Sequence, residues 1–206
     1  MAITGIVLSI IGLMATVANA AIGAYMGATG KNQVVNEILN NNNNQQNSAS
    51  TTQQGPYVDT KAGFSIEMPT GWQINNSGAY GTLVIATNPQ TDTSSGSSTP
   101  FHANINIISQ PVNGYSLKSI VTSANQADSK SLQNYQTTGN TSITVDNLPA
   151  YIIGGTFTQG QNNIQNLQLI VVNKGQVYIV TGSALQSDWL TYKDEITSSL
   201  TSLKFH

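Results

Sequence analysis

"GFSIEMPTGWQI", residues 63–74, is the stretch on which the reading of the globular part turns. Phe64, Ile66 and Met68 alternate with Ser65 and Glu67, which is the period of a half-buried strand, because successive side chains of a strand point to opposite faces. Pro69, Thr70 and Gly71 interrupt the run, and Trp72 and Ile74 resume it. A Pro and a Gly between two apolar alternations predict a tight turn, with the two strands paired across it.

Strand signals continue outward from this stretch. "GTLVIATN" follows, and then "HANINIIS", in which Ala103, Ile105 and Ile107 face one way and Asn104 and Asn106 the other. The Ser- and Thr-rich run between them, residues 89–100, reads as a surface loop. "TSITVD", "AYIIGGTFTQ" and "NLQLIVVNKGQVYIVTGSA" come later, with Asp146-Asn147 and Asn173-Lys174-Gly175 as turns. Two helices are placed. Ser116 can cap one whose Leu117, Ile120, Val121 and Ala124 share a face; Ser187 can cap the other, which lines Trp189, Tyr192, Ile196, Leu200 and Leu203 on its buried side. The order of strands, helix, strands, helix gives an α+β class with a mainly antiparallel β-sheet flanked by helices.

The stretch from Tyr57 through "GFSIEMPTGWQI" resembles the N-terminal signature of the PsbP-like superfamily, in which an early strand ends in Pro and a Trp after a Gly begins the next. "NLPAYIIGGTF", "QLIVVNKGQVYIVTGSA" and the closing "SSLTSLKF" are similar to that superfamily's C-terminal half. The resemblance runs from Tyr57 to Phe205 and rests on structural motifs. It implies helices packed on a central antiparallel sheet and no shared enzymatic activity. It also implies that Phe64 and Trp72 are core anchors and that residues 69–71 fix a hairpin turn. The family's photosystem members have an extended N-terminal region in place of what this chain carries there, which points away from a photosystem role.

What the chain carries there is apolar. Residues 2–30 contain no charge, and "ITGIVLSIIGLMATVANAAIGAYMGA" exceeds the ~20 apolar residues that cross a bilayer as a helix. A cleaved signal peptide would show a charged start and a shorter apolar core. Ala18-Asn19-Ala20 supplies a small-residue cleavage pattern, but the run continues past it through Ile22, Tyr25 and Met26, so a retained N-terminal transmembrane helix fits better. At about 100° per residue, Gly5, Gly12, Gly23 and Gly27 fall within an arc of roughly 60°, a stripe on which two helices can pack closely in lipid. Gly and Ala are also simply common in membrane helices. The flanking charges are too few to fix orientation. Residues 31–56, rich in Asn, Gln and Ser, form a linker; the most polar part, residues 40–56, would reach about 20–25 Å as a flexible chain. The expected organisation is therefore an anchor over 1–30, a linker over 31–56 and a PsbP-like domain over 57–206.

Composition narrows the function classes. Only 8% of the 206 residues are charged, against about 25% in a typical soluble protein, and all seven basic residues are Lys. A net charge of −2 without a basic stripe gives no footprint for nucleic acid. The absence of Cys excludes disulfides, thiolate catalysis and Cys-ligated metals. No GxSxG, phosphate loop or EF-hand spacing occurs. His102 is a lone internal histidine beside Phe101, a pattern of structural residues; Asp188 reads as a first-turn residue favoured by the helix dipole, and Asp194 and Glu195 as a solvated face. Asn75-Asn76-Ser77 and Asn140-Thr141-Ser142 fit glycosylation acceptors. No catalytic residue, cofactor or metal ligand is expected. Two classes remain: a membrane-anchored extracytoplasmic binding or assembly module at the cell surface, with an envelope protein as partner, and a pilin-like surface filament whose N-terminal helices self-associate into a core.

Overall fold

The structure, a computed structural model, describes residues 55–78, 81–90 and 101–206. The apolar segment with Gly5, Gly12, Gly23 and Gly27, most of the linker and residues 91–100 lie outside the described residues. Within them no helix is long and apolar enough to cross a membrane.

The described chain forms ten strands and two helices: β1 (Tyr57–Asp59), β2 (Phe64–Ile66), β3 (Gln73–Asn75), β4 (Val84–Thr87), β5 (Asn104–Pro111), α1 (Leu117–Ser131), β6 (Gln133–Val145), β7 (Leu148–Gln159), β8 (Asn162–Asn173), β9 (Gln176–Leu185), α2 (Trp189–Thr201) and β10 (Lys204–Phe205). All pairings are antiparallel. Seven strands make the main sheet in the order β3-β4-β5-β9-β8-β7-β6, and β1, β2 and β10 make a second sheet.

The opening stretch does not form a hairpin. β2 pairs with β1 and β10, whereas β3 pairs with β4 in the other sheet. Pro69-Thr70-Gly71 is still a turn, closed by the Trp72 N–H donating to the Pro69 carbonyl at 3.2 Å, with Gly71 at φ 82°. It carries the chain from one sheet to the other. The reason lies in α2, 130 residues on: Ser199 Oγ donates to the Glu67 carbonyl at 2.5 Å, and the Glu67 N–H donates to Ser202 Oγ at 2.8 Å. The backbone groups that a hairpin would have paired with β3 are held instead by the last turn of a helix.

Two true hairpin turns match the residues. Asp146 and Asn147 have φ of 48° and 62°, and Lys174 and Gly175 have 46° and 76°; both positive values are what two-residue hairpin loops need to follow the twist of their strands. Other boundaries moved. β6 begins eight residues before "TSITVD", because the chain leaves α1 directly into an extended pairing with β7. The N-cap of α2 is Asp188 and not Ser187, and its side chain makes no capping hydrogen bond. Ser116 caps α1 as expected, accepting from the Ser119 N–H at 3.2 Å. The closing helix ends at Thr201, leaving Leu203 to bury itself beyond it.

Both faces of the main sheet are covered. On one side α2 and the small sheet enclose Phe64, Ile66, Trp72, Trp189, Tyr192, Ile196 and Leu200 against Ile105, Ile107, Leu169 and Val180. Gly182 permits a close approach of α2 there, since a Cβ at that position would run into the Ile196 side chain. On the other side lies α1, and that face is less uniform.

Candidate functional site: a buried amide layer and an open sheet edge

Strand parity sends Asn104 and Asn106 of β5, Thr181 and Ser183 of β9, and Asn166 and Gln168 of β8 to the α1 face of the sheet. Register assembles them into two rows. Asn106, Thr181 and Gln168 stand side by side, as do Asn104, Ser183 and Asn166. The rows on either side are apolar: Ile108, Ile179 and Ile170 on one, Leu185, Ile164 and Phe157 on the other. Each belongs to its own hydrophobic cluster, the first completed by Ile120, Val121 and Ala124 of α1, the second by Phe101 and Leu132.

None of the six polar side chains is more than 2% exposed. Asp128, on the buried face of α1 and 1% exposed, accepts from Gln168 Nε2 at 2.9 Å. Asn104 Nδ2 donates to the His102 carbonyl at 3.1 Å. Four amide atoms in the layer have no hydrogen-bond partner: Asn104 Oδ1, Asn106 Nδ2, Asn166 Nδ2 and Gln168 Oε1. Buried polar atoms in native proteins are almost always paired, so each such atom calls for an explanation.

Next to the layer, Tyr135 of β6 lies over Gly155, where a Cβ would collide with the ring. Its hydroxyl donates to Asn125 Oδ1 at 3.2 Å, an acceptor shared with Thr137 Oγ1 at 3.0 Å. Burial, and then the negative Asp128 carboxylate, push the Tyr135 phenol up to about 12, with the Thr137 hydrogen bond pulling weakly the other way.

The second feature is the edge formed by β6. It is the last strand of the main sheet, thirteen residues long, exposed along nearly its whole length, and no described strand pairs with its outer side. Its sequence, QNYQTTGNTSITV, has no charge and no Pro, the two devices that usually guard such an edge. Two register irregularities lie between Gln133 and Gly139; from Gly139 to Val145 the ladder with β7 is regular.

The residues singled out by sequence lie elsewhere. Phe64 (0%), Trp72 (9%) and Trp189 (6%) share the cluster on the α2 face. Phe64 meets Tyr57 and Tyr178, each with ring centres 6.1 Å away, and Trp72 meets Tyr192 edge-on at 6.2 Å. His102 Nδ1 lies 2.9 Å from the Asn88 carbonyl and 3.0 Å from that of Gln90, which holds residues 88–90 against the start of the described stretch 101–206. Asp194 and Glu195 are exposed on α2. Among the described residues no group of His, Asp or Glu is placed to hold a metal ion. Of the two glycosylation triplets, Asn75 is 8% exposed and its Oδ1 accepts from the Ser77 N–H, a geometry that shuts out a glycan; Asn140 is exposed on β6. The amide layer escaped sequence reading because the alternation in "HANINIIS" shows that Asn104 and Asn106 share a face but not that α1 and its flanking clusters bury that face.

Comparison with known proteins gives a consistent fold. The family model described as PsbP-like protein matches residues 5–205. The solution structure of the cyanobacterial PsbP of Synechocystis sp. PCC 6803 is similar at a TM-score of 0.55 and 17% identity, covering 78% of this chain and 99% of that one. LpqN of Mycobacterium tuberculosis, described as involved in cell envelope biogenesis, gives 0.55 and 17%, covering 74% and 90%. A protein of unknown function from Pseudomonas aeruginosa gives 0.50 and 16%, covering 72% and 94%. No curated protein matches the chain.

Proposed function

We propose, since the chain belongs to the PsbP-like protein family, that it is a membrane-anchored binding or assembly module without catalytic activity, displayed outside the cytoplasm. The observation that carries the binding role is the β6 edge: thirteen uncharged residues, ten of them exposed, whose outer backbone groups face no described strand. Such an edge accepts an extended peptide as one more strand, with main-chain hydrogen bonds giving affinity. The occupant is an extended segment of an envelope protein. The uncharged run of residues 2–30 supplies the anchor, and the polar linker holds the domain off the bilayer. An envelope setting is supported by the Asn-, Gln- and Thr-rich, charge-poor composition and by the similarity to LpqN. In the pilin-like alternative, the glycine stripe would instead drive self-association.

Capture from native membranes tests the reading, with the full chain carrying Thr141→Lys and Thr144→Lys on the exposed edge and Leu190→Lys, at an 86% exposed position on α2, as control. Wild type and control should cross-link the same partner while the edge variant loses it. Equal capture by the edge variant rejects strand addition, and long self-assembled particles in all three favour the filament.

A further inference from the structure

We propose that the amide layer under α1 is a binding site for a small uncharged polyhydroxylated molecule of the cyclic polyol class. The inference stands on the layer and is independent of the β6 edge.

Three properties of the layer lead to it. The first is cost. The neighbouring rows on the same strands are Ile, Leu and Phe, so these positions accept apolar side chains, yet the chain places amides there and leaves four of their atoms unpaired. An unpaired buried polar atom destabilises the fold, whereas an apolar replacement of similar shape is neutral or stabilising. Local violations of this kind are expected where a site serves binding.

The second is chemistry. The unpaired atoms are two acceptors, Asn104 Oδ1 and Gln168 Oε1, and two donors, Asn106 Nδ2 and Asn166 Nδ2. A bound anion would face the Asp128 carboxylate, which already accepts from Gln168, and a bound cation would leave the donors Asn106 Nδ2 and Asn166 Nδ2 unpaired and turned against it. A neutral molecule meets neither repulsion and carries no charge into the layer. Hydroxyl groups both donate and accept, so one polyol can serve donors and acceptors together.

The third is size. Three strands at ~4.8 Å spacing and two same-face positions at ~3.3 Å rise per residue make a plate about 10 Å by 7 Å, the footprint of one six-membered ring with its hydroxyls. The flanking apolar rows suit the ring's C–H faces. The helix over this region turns Asp128 to the layer and holds Gln168 by a hydrogen bond, with Asn125 engaged by Tyr135 and Thr137. Entry proceeds by displacement of the C-terminal half of α1, which draws Leu132 out of its cluster with Phe101, while Ile120 and Val121 remain docked in theirs.

The test uses the full chain in a detergent without a sugar head group, titrated with myo-inositol. Side-chain amide resonances of Asn104, Asn106 and Asn166 should shift saturably and Tm should rise. Asn106→Leu and Asn166→Leu should keep or raise the basal Tm and weaken binding about tenfold, the loss of one well-made hydrogen bond. If a variant does not fold, the wild-type amide shifts decide the matter. Absence of a saturable shift in the wild type, as expected if ordered water alone satisfies these atoms, overturns the proposal, and so does undiminished binding by both folded variants.

Discussion

Trp72 stands edge-on to Tyr192 of α2 and is the first residue of the chain after the crossover between the two sheets. It therefore fixes α2 to the segment that leaves the small sheet, and truncation leaves a cavity between layers that cannot close over it. Trp72→Ala should cost about 3–5 kcal/mol, read as a lower denaturation midpoint at unchanged m; a midpoint equal to wild type would make the ring an exposed platform. Tyr135 yields a pH prediction. Its phenol titrates near 10.0 when unfolded and at about 12 when folded, so between these values the folded chain binds more protons. Its contribution to stability is intact below pH 10 and is lost as pH rises toward 12. The slope of unfolding free energy against pH over that window should be shallower in Tyr135→Phe than in wild type, and identical slopes would show that burial and Asp128 do not raise this phenol above its unfolded value.

At the scale of elements, the two helices were legible because each concentrates its apolar residues on one face: Ile120, Val121 and Ala124 on α1, Trp189, Tyr192, Ile196 and Leu200 on α2. β8 and β9 were legible through β-branched runs and the Lys174-Gly175 turn. The early part of β6 was not, because "QNYQTTGN" has neither alternation nor an apolar face; pairing with β7 makes it a strand. The apolar N-terminal element has its own prediction. If the proposed anchor is a helix that self-associates through the glycine stripe, Gly27→Leu would put a bulky side chain into its seam, while Ala24→Leu would add similar volume about 60° away. Both variants should remain in the membrane fraction, and only Gly27→Leu should lose cross-linked oligomer in mild detergent. Equal oligomer content would make the stripe mere composition.

For the whole molecule, every described strand and helix lies between Tyr57 and Phe205, and the two ends of that stretch meet. β10 pairs with β2, the His206 N–H donates to the Gly63 carbonyl at 3.0 Å, and the Phe205 N–H donates to Asp146 Oδ2 at 2.8 Å. A fragment of residues 57–206 should therefore fold alone, with a β-rich circular dichroism spectrum and one cooperative transition. A fragment cut after residue 201 should melt lower, since it loses β10 and the buried Leu203. An unstructured 57–206 fragment would mean that the preceding segments take part in folding.

By itself the sequence determined the α+β class, the two amphipathic helices, the turns at residues 146–147 and 173–175 and an apolar N-terminal segment, because periodicity, turn chemistry and a long uncharged run are local properties. Tertiary structure alone decided that residues 63–74 split between two sheets, since the groups that hold Glu67 are Ser199 and Ser202, more than 130 positions away. It alone decided that Asn104, Asn106, Asn166 and Gln168 form a buried layer, since register across three strands and the cover of α1 set their neighbours. Alternation along a strand tells which residues share a face; what lies against that face is a matter of contacts distant in the chain.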